Sequence, residues 1–373
     1  MASALCVLLP LALASCEGPF CEDGFNALLQ TEQRYLQRKL DASSNLEAFS
    51  GNPVMDDVRS AFQALHADGD IIKIDKGPWS SEGYRSYMPP YGEHIEGIQR
   101  LRTPGYFAFS GATAGSADLF LAQLEGSTSG AVGGAAGKVV KRVTLDTVLT
   151  HAGGFQVSGD LLAIGLEAQC TPMERTFMTC RKQSEVRFYD VSDPLDPKRL
   201  GSFIDRPGQS AGAVGIVQQQ NGKWLALVGD GDNNNIDMYV QQEDGSWKLS
   251  ASWNKGELLI NAGVSGGYKS YQSMNLILQQ DGKIFMVCAA RSSMVGGADY
   301  FDLFSVQPTG SGRATVTMVA SKHVTCHGCD FGAAGAVYVD SSRRLLGYGS
   351  SWLPSASATS LPTPGSTIFV NEF

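Results

Sequence analysis

The sequence lacks the features of several large protein classes. Its 29 Lys and Arg residues are outnumbered by 37 Asp and Glu residues, giving a net charge of −8. That balance argues against a broad nucleic-acid footprint and against docking on an anionic membrane surface. No segment after residue 16 is apolar enough to cross a membrane. The H-E-x-x-H motif and the phosphate-binding P-loop are absent, so those metalloprotease and nucleotide sites are excluded.

What the sequence does contain favours an all-β protein. Of its 373 residues, 43% are apolar, which is normal for a globular core, and only 18% are charged. Glycine is abundant, at 43 residues. Many glycines with few charges are typical of short strands joined by tight turns.

The first sixteen residues, MASALCVLLPLALASC, predict export. Their apolar run is too short to span a bilayer and has the length of a signal-peptide core, although a positive n-region is missing. Ala-Leu-Ala at 12–14 fits ordinary cleavage, whereas Leu-Ala-Ser-Cys at 13–16 resembles a lipobox that would anchor a lipid on Cys16. Lipidation leaves six other cysteines, an even set, and ordinary cleavage leaves seven. We therefore expect an extracytoplasmic protein, either secreted or lipid-anchored at the cell surface.

Residues 22–69 are predicted to form a short N-terminal helical segment. Apolar residues recur at helical spacing over 25–40. A second helix is predicted to begin at Asn52 and Pro53, a cap followed by proline, and to end at Asp68 and Gly69.

Five repeats follow this segment, and their first strands begin 57 to 60 residues apart. Those strands start at His94, His151, Ser210, Ser270 and Asp330. A second and a third strand follow each one, and a fourth strand is visible in four copies. Five four-stranded units predict a five-bladed β-propeller over residues 70–373, with a β-sandwich as the alternative. The strand at 70–75 is predicted to complete the last blade, because the chain stops at Phe373 before a fourth strand.

One blade carries a family resemblance. Residues 185–201 read EVRFYDVSDPLDPKRLG. This segment resembles the LVIVD repeat of bacterial and archaeal surface proteins, in which an apolar strand precedes D-V-S-D-P-x-x-P and a second strand. The other four blades depart from the pattern. The resemblance implies an exported, extracytoplasmic β-propeller and no particular activity.

The first strands line the central channel, so the alignment predicts two rings of side chains. The ring at the channel mouth comprises His94, His151, Ser210, Ser270 and Asp330. The ring five positions further in comprises Gln99, Gln156, Gly215, Asn275 and Gly335. These polar groups either form hydrogen bonds with ordered water and buried backbone groups or contact a ligand. Histidines beside a carboxylate also suit zinc or another transition metal, and acid–base work near neutral pH.

Long loops on the same face supply further candidates. The loop at 166–184 begins with Glu167 and is predicted to be closed by a disulfide between Cys170 and Cys180. Later loops carry Arg291 and Trp352. An aromatic platform beside Glu, His and Arg favours a sugar or another polar organic ligand.

Two further motifs have competing interpretations. The closely spaced oxygens of Asp230, Asp232 and Asn234 suit calcium, but the run is also a polar turn without the Glu that closes an EF-hand loop. Cys326 and Cys329 form a C-x-x-C. We expect a structural disulfide within this pair or to Cys288, with a metal site using His323 or His327, or redox work, as the alternatives.

Three functions remain open. The first is a binding module that holds a glycan, a cell-surface fragment, another polar small molecule or a surface protein on the channel-mouth loops. The second is a hydrolase or lyase cleaving a carbohydrate or lactone, with carboxylates drawn from Glu96, Glu167, Asp230 and Asp330 and with His94 or His151 as helper. The third is a structural scaffold, which would tolerate replacement of the channel-mouth ring.

Overall fold

The computed structural model describes residues 46–75, 94–113, 115–125, 135–168, 183–231, 233–260, 262, 264, 267–292, 297–309, 313–332, 334–351 and 367–373. This part of the chain is mostly β. Its one α-helix is α1 (Val58–Ala64), and two short 3-10 turns occur at Leu46–Ala48 and Lys255–Glu257. No helix among these residues is long and apolar enough to cross a membrane. The first sixteen residues and the helix predicted over 25–40 lie outside the described residues.

Helix α1 begins later than the sequence predicted. Its N-cap is Asp57, whose Oδ1 accepts a hydrogen bond from the Ser60 amide at 3.0 Å. Asn52 has a different role: its Oδ1 accepts from the Gly159 amide at 2.9 Å, and its own amide donates to Ser158 Oγ at 3.0 Å. These contacts keep residues 52–57 out of the helix.

The strands fall on the segments that the repeat spacing predicted. β1 (Asp70–Asp75) precedes five runs. The first run comprises β2 (His94–Arg100), β3 (Tyr106–Thr113), β4 (Ser116–Leu124) and β5 (Ala136–Asp146). The second comprises β6 (His151–Ser158), β7 (Leu161–Glu167), β8 (Ser184–Asp190) and β9 (Lys198–Asp205). The third comprises β10 (Ala213–Gln218), β11 (Trp224–Gly229), β12 (Asn235–Gln241) and β13 (Trp247–Asn254). After the short β14 (Leu259–Ile260), the fourth comprises β15 (Ser273–Leu278), β16 (Ile284–Arg291), β17 (Asp299–Thr309) and β18 (Arg313–Val324). The fifth comprises β19 (Ala334–Val339), β20 (Leu345–Ser350) and β21 (Thr367–Glu372).

Each run is an antiparallel meander in which consecutive strands pair. The first strands also pack against one another in a closed order: β2 on β6, β6 on β10, β10 on β15, β15 on β19, and β19 on β2. Five buried apolar clusters lie between neighbouring runs, so both faces of each meander are covered. This arrangement of the described strands is propeller-like.

β1 completes the fifth run. It pairs antiparallel with β21 over its whole length, from Asp70 opposite Glu372 to Asp75 opposite Thr367. Its other edge pairs in parallel with β5, the last strand of the first run. The first and the last strand of the described chain therefore lie in one sheet, and β21 has no open edge.

The segment that resembles the LVIVD repeat forms β8, a turn and β9. Asp190 Oδ1 accepts from the Ser192 amide and Asp193 Oδ1 from the Leu195 amide, both at 2.9 Å. These two aspartates thus shape the turn, as short polar side chains commonly do.

A buried aspartate recurs on the third strand of three runs. Asp118, Asp237 and Asp302 each accept a hydrogen bond from a hydroxyl on the fourth strand and pair with one cation. Asp302 is fully buried, and its Oδ2 lies 2.6 Å from both Lys269 Nζ and Tyr271 Oη. Such groups stabilise the fold only while all the partners are present.

Replacing Asp302 with Ala is expected to lower the free energy of unfolding by about 3–5 kcal/mol, because Lys269 is left without its counterion. Urea unfolding followed by tryptophan fluorescence measures this loss. Asp281→Ala is the matched control, since the Asp281–Lys283 pair is solvent-exposed and its loss should leave the midpoint unchanged. Equal midpoints for the two variants would contradict a stabilising role for the buried cluster.

Candidate functional site

Two carboxylates from outside the predicted channel-mouth ring meet one histidine of that ring, His151. His151 begins β6 and Glu167 ends β7, and the antiparallel register places them directly opposite each other. Glu96 comes from the first run, at an irregularity of β2 between Ile95 and Gly97. A side chain at Gly97 would collide with the Phe155 ring, at 2.6 Å, so this close approach of the two runs requires glycine.

The imidazole of His151 lies between the two carboxylates. Its Nε2 is 3.1 Å from Glu96 Oε1, and its Nδ1 is 3.1 Å from Glu167 Oε1. Glu167 Oε2 accepts hydrogen bonds from Ser210 Oγ and, at 3.1 Å, from the Ala211 amide. We call Glu96, His151, Glu167 and Ser210 the carboxylate–imidazole cluster; it joins the first, second and third runs.

The cluster carries fixed charges at neutral pH. Burial opposes protonation of His151, but its hydrogen bonds with Glu167 and Glu96 outweigh this and raise its pKa to about 10. Burial likewise disfavours the Glu167 carboxylate, yet the hydrogen bond with His151 lowers the pKa of Glu167 to about 2. A protonated imidazole has no lone pair, so His151 in this state is neither a general base nor a zinc ligand.

Below the cluster, the second predicted ring is bonded across the channel. Gln156 Oε1 accepts from the Ile216 and Leu276 amides, both at 2.8 Å, and Gln156 Nε2 donates to Leu276 O at 2.9 Å. Asn275 Oδ1 accepts from the Val337 amide at 2.7 Å. The predicted ligand-binding amides of Gln156 and Asn275 are therefore cross-links between first strands. Gln99 is fully buried, with no hydrogen-bond partner for its amide among the described residues.

Glycines complete that ring. A side chain at Gly335 would approach Ala289 Cβ to 2.3 Å, and one at Gly154 of β6 would approach the Gln272 carbonyl oxygen to 2.3 Å. The first strands are thus packed closely, and Gln156 spans what space remains between the second, third and fourth runs. At this depth the described residues leave the channel closed rather than open across a pocket.

Asp330 and Arg291, predicted as catalytic and ligand-binding residues, pair with each other. Arg291 Nη1 lies 3.0 Å from Asp330 Oδ2. Its Nε donates to Asp299 Oδ1 at 3.0 Å, and its Nη2 donates to Asp299 Oδ2 at 3.1 Å. Arg291 Nη2 also donates to Cys329 O at 3.0 Å. Burial raises the pKa of Asp330, although Arg291 opposes this. Asp299 was not predicted; its position opposite Arg291 in the β16–β17 register is the signal that would have found it.

The disulfide predicted at the C-x-x-C is confirmed within the pair, between Cys326 and Cys329. The alternative partner, Cys288, is a buried free thiol. His327 Nε2 lies 2.8 Å from Asp68 Oδ1, and the ring of His323 packs on Tyr300. Among the described residues, no group of three or more His, Cys, Asp and Glu is placed to hold a metal ion.

The calcium candidates form a turn. Asp230 Oδ1 accepts from the Asn234 amide and Asp230 Oδ2 from Asn235 Nδ2, both at 2.7 Å. Asn233 adopts a positive φ of 52°, as the polar-turn interpretation expects for Asn. Asp232 lies outside the described residues, and the calcium prediction remains a prediction.

Several predicted site residues are described in part or not at all. Ser270 is exposed at the approach to β15. The backbone of His94 begins β2, opposite Ala112. Cys170, Cys180 and Trp352 lie outside the described residues.

Comparison with known proteins identifies no family. No family model matches the chain, and no curated protein matches it. The solved structures that it resembles include a protein of unknown function from Dyadobacter fermentans, with 10% identity, 75% of this chain and 78% of that chain covered, and a TM-score of 0.41. Fructan 1-exohydrolase IIa from Cichorium intybus gives 11% identity, 79% and 57% coverage, and a TM-score of 0.41. Sucrose-6-phosphate hydrolase from Lactobacillus gasseri gives 9% identity, 91% and 64% coverage, and a TM-score of 0.45.

The chain thus spans less than two thirds of either hydrolase. Likeness at this level carries no argument about activity, so the function must be argued from the contacts described above.

The charge state of His151 predicts a pH dependence of stability. A histidine whose pKa is about 10 in the folded protein, against an ordinary 6.5, contributes its full stabilisation below pH 6.5 and loses it as the pH rises to 10. The stability advantage of the wild-type protein over His151→Gln should therefore shrink across that window, by about 1.4 kcal/mol for each pKa unit. Urea unfolding at pH 6, 8 and 10 tests this.

The contribution of Glu167 to stability changes with pH in the opposite direction and at acidic pH. Its lowered pKa contributes stability that is complete above pH 4.5 and is lost as the pH falls to about 2.

A wild-type advantage over His151→Gln that stayed constant from pH 6 to 10 would show that His151 is neutral in the folded protein.

Proposed function

We propose that this chain is an exported five-bladed β-propeller that binds a polar, hydroxyl-rich ligand, such as a glycan or a cell-surface fragment, at its channel mouth. The closed order of the five first strands and the five apolar clusters between runs support five blades around one axis. The resemblance of residues 185–201 to surface-protein repeats and the signal-like first sixteen residues support export, with a possible lipid on Cys16 as the anchored form.

The observation that carries the binding proposal is the carboxylate–imidazole cluster. It places three charged side chains above a channel that Gln156 closes. Side-chain exposures of 9% for Glu96, 14% for His151 and 19% for Glu167 keep them within reach of a ligand while their partners fix their orientation. Preorganised polar groups of this kind lower the ordering cost of binding.

The charge of the cluster narrows the class of ligand. Two carboxylates around one imidazolium leave a net negative site, which disfavours anionic glycans. Carboxylate oxygens accept hydrogen bonds, so sugar hydroxyls or an ammonium group are the donors that fit. A neutral or amino-bearing sugar is the ligand we propose.

A carbohydrate- or lactone-cleaving hydrolase is the second candidate. Its support is the contrast between two of the predicted catalytic acids: the pKa of Glu167 is lowered to about 2, and that of Asp330 is raised by burial. Glycoside hydrolysis divides its roles between two carboxyl groups whose surroundings shift their pKa values in opposite directions. His151 pairs with Glu167, and Arg291 pairs with Asp330. These contacts hold the two acids in place and favour binding over turnover.

Binding is tested by isothermal titration of the disulfide-intact chain with neutral, amino-bearing and acidic oligosaccharides. We expect neutral or amino-bearing sugars to bind, and Glu96→Gln and Glu167→Gln to weaken binding at least about tenfold, as the loss of a charge-assisted hydrogen bond does. Glu243→Gln is the control, because the Glu243 side chain is 92% exposed and remote from the cluster.

The same mixtures are assayed for new reducing ends and for acid release. Product that disappears in both Glu167→Gln and Asp330→Asn would replace the binding proposal with the hydrolase. Absence of any bound sugar, or binding that is equal in wild type and in folded Glu96→Gln and Glu167→Gln, would refute the binding site and leave the scaffold role.

A further inference from the structure

A cavity opens at the end of the first strands opposite the channel mouth. It has a volume of about 640 Å³ and lies where the β2–β3 and β19–β20 turns meet residues 51–53 of the N-terminal segment. Its walls include Asn52, Arg100, Arg102, Tyr338, Asp340 and Arg344. The volume is within the range of small-molecule sites.

Arg100 is the buried anchor of this cavity. Only 8% of its side chain is exposed, and its hydrogen bonds with described residues involve Nη1 alone, which donates to Tyr348 Oη at 3.0 Å and lies 3.7 Å from Glu372 Oε2. Its guanidinium lies over the ring of Tyr338, 5.4 Å from the ring centroid. Nε and Nη2 have no partner among the described residues, and the side chain lines the cavity.

Two more arginines add positive charge at the rim. Arg102 Nη1 lies 3.3 Å from Asp160 Oδ2, and Arg344 Nε lies 2.8 Å from Asp340 Oδ2. Both side chains are more than half exposed, so these pairs are screened and weak. Three arginines therefore face the cavity against one lining carboxylate, in a chain whose net charge is −8.

We propose that this cavity binds a small oxyanion-bearing ligand, a carboxylated sugar or a phosphate ester, with the free edge of the Arg100 guanidinium as its principal contact. A guanidinium edge offers two parallel N–H donors that match a carboxylate or a phosphate. The ring of Tyr338 packs against the Arg100 guanidinium, and Tyr338 also lines the cavity.

This site is independent of the channel mouth. β6 separates them, because His151 begins that strand and Gly159 of the cavity wall follows its end. Eight residues of extended strand span roughly 25 Å. The two sites also differ in the side chains that line them, since carboxylates surround His151 whereas arginines line this cavity. The acidic ligands that the carboxylate–imidazole cluster disfavours are therefore the ones that this cavity selects.

Isothermal titration with galacturonate, galactose and inorganic phosphate tests the proposal. We expect galacturonate or phosphate to bind and uncharged galactose not to displace either one. Arg100→Lys, which keeps the charge but loses the two parallel N–H donors of the guanidinium, should weaken anion binding at least about tenfold. Raising the salt from 50 mM to 500 mM should weaken it further. Binding of galacturonate but not phosphate would identify the ligand class as a carboxylated sugar. Binding of phosphate but not galacturonate would identify it as a phosphate ester.

Further variants keep the test decisive if Arg100→Lys fails to fold. Tyr338→Phe and Arg102→Gln alter one group each at partly or fully exposed positions and should both weaken anion binding. Arg313→Gln, at an exposed position on β18, is the control and should bind as wild type does. Glu96→Gln should also leave anion binding unchanged. No binding of either anion, or equal binding by wild type, Tyr338→Phe and Arg102→Gln, would overturn the proposal.

Discussion

The pairing of β1 with β21 is the constraint on which the rest of the structure depends. It places the first and the last described strand in one sheet and brings the fifth run against the first, where β19 packs on β2. The arginine-lined cavity exists only at that junction, since its walls come from turns of both runs and from residues 51–53. The channel mouth likewise needs the first strands held in a closed order.

The two ends of the first strands have contrasting chemistry. At one end, His151 is held as a cation by Glu96 and Glu167, and the surrounding hydrogen bonds leave little freedom to any of the three. At the other end, Arg100 is buried with part of its guanidinium unbonded within the described protein. Between them Gln156 bonds to two neighbouring first strands and closes the passage. The closed channel thus separates two polar ends of different chemistry.

The repeat period made the strands predictable, because tight turns and alternating apolar residues recur every 57 to 60 residues. The His151–Glu167 contact follows from the same alignment, since one residue opens a strand and the other ends its antiparallel partner. Other contacts in the structure have no corresponding pattern in the sequence. Glu96 reaches His151 through an irregularity in β2, and the cap-like Asn52 binds the hairpin at Gly159 instead of a helix. The arginine-lined cavity joins turns more than 200 residues apart, which no spacing in the sequence relates.

Hydrogen–deuterium exchange of backbone amides, resolved by mass spectrometry, tests the closure most directly. Amides exchange through the lowest-energy opening available to their segment. If closure by β1 supports the whole ring, peptides covering β1 and β21 will exchange as slowly as those covering β2 and β19, in one cooperative unit. Rapid exchange of β1 and β21, with the first strands still protected, would contradict the account, because the ring would then persist without the strand that closes it.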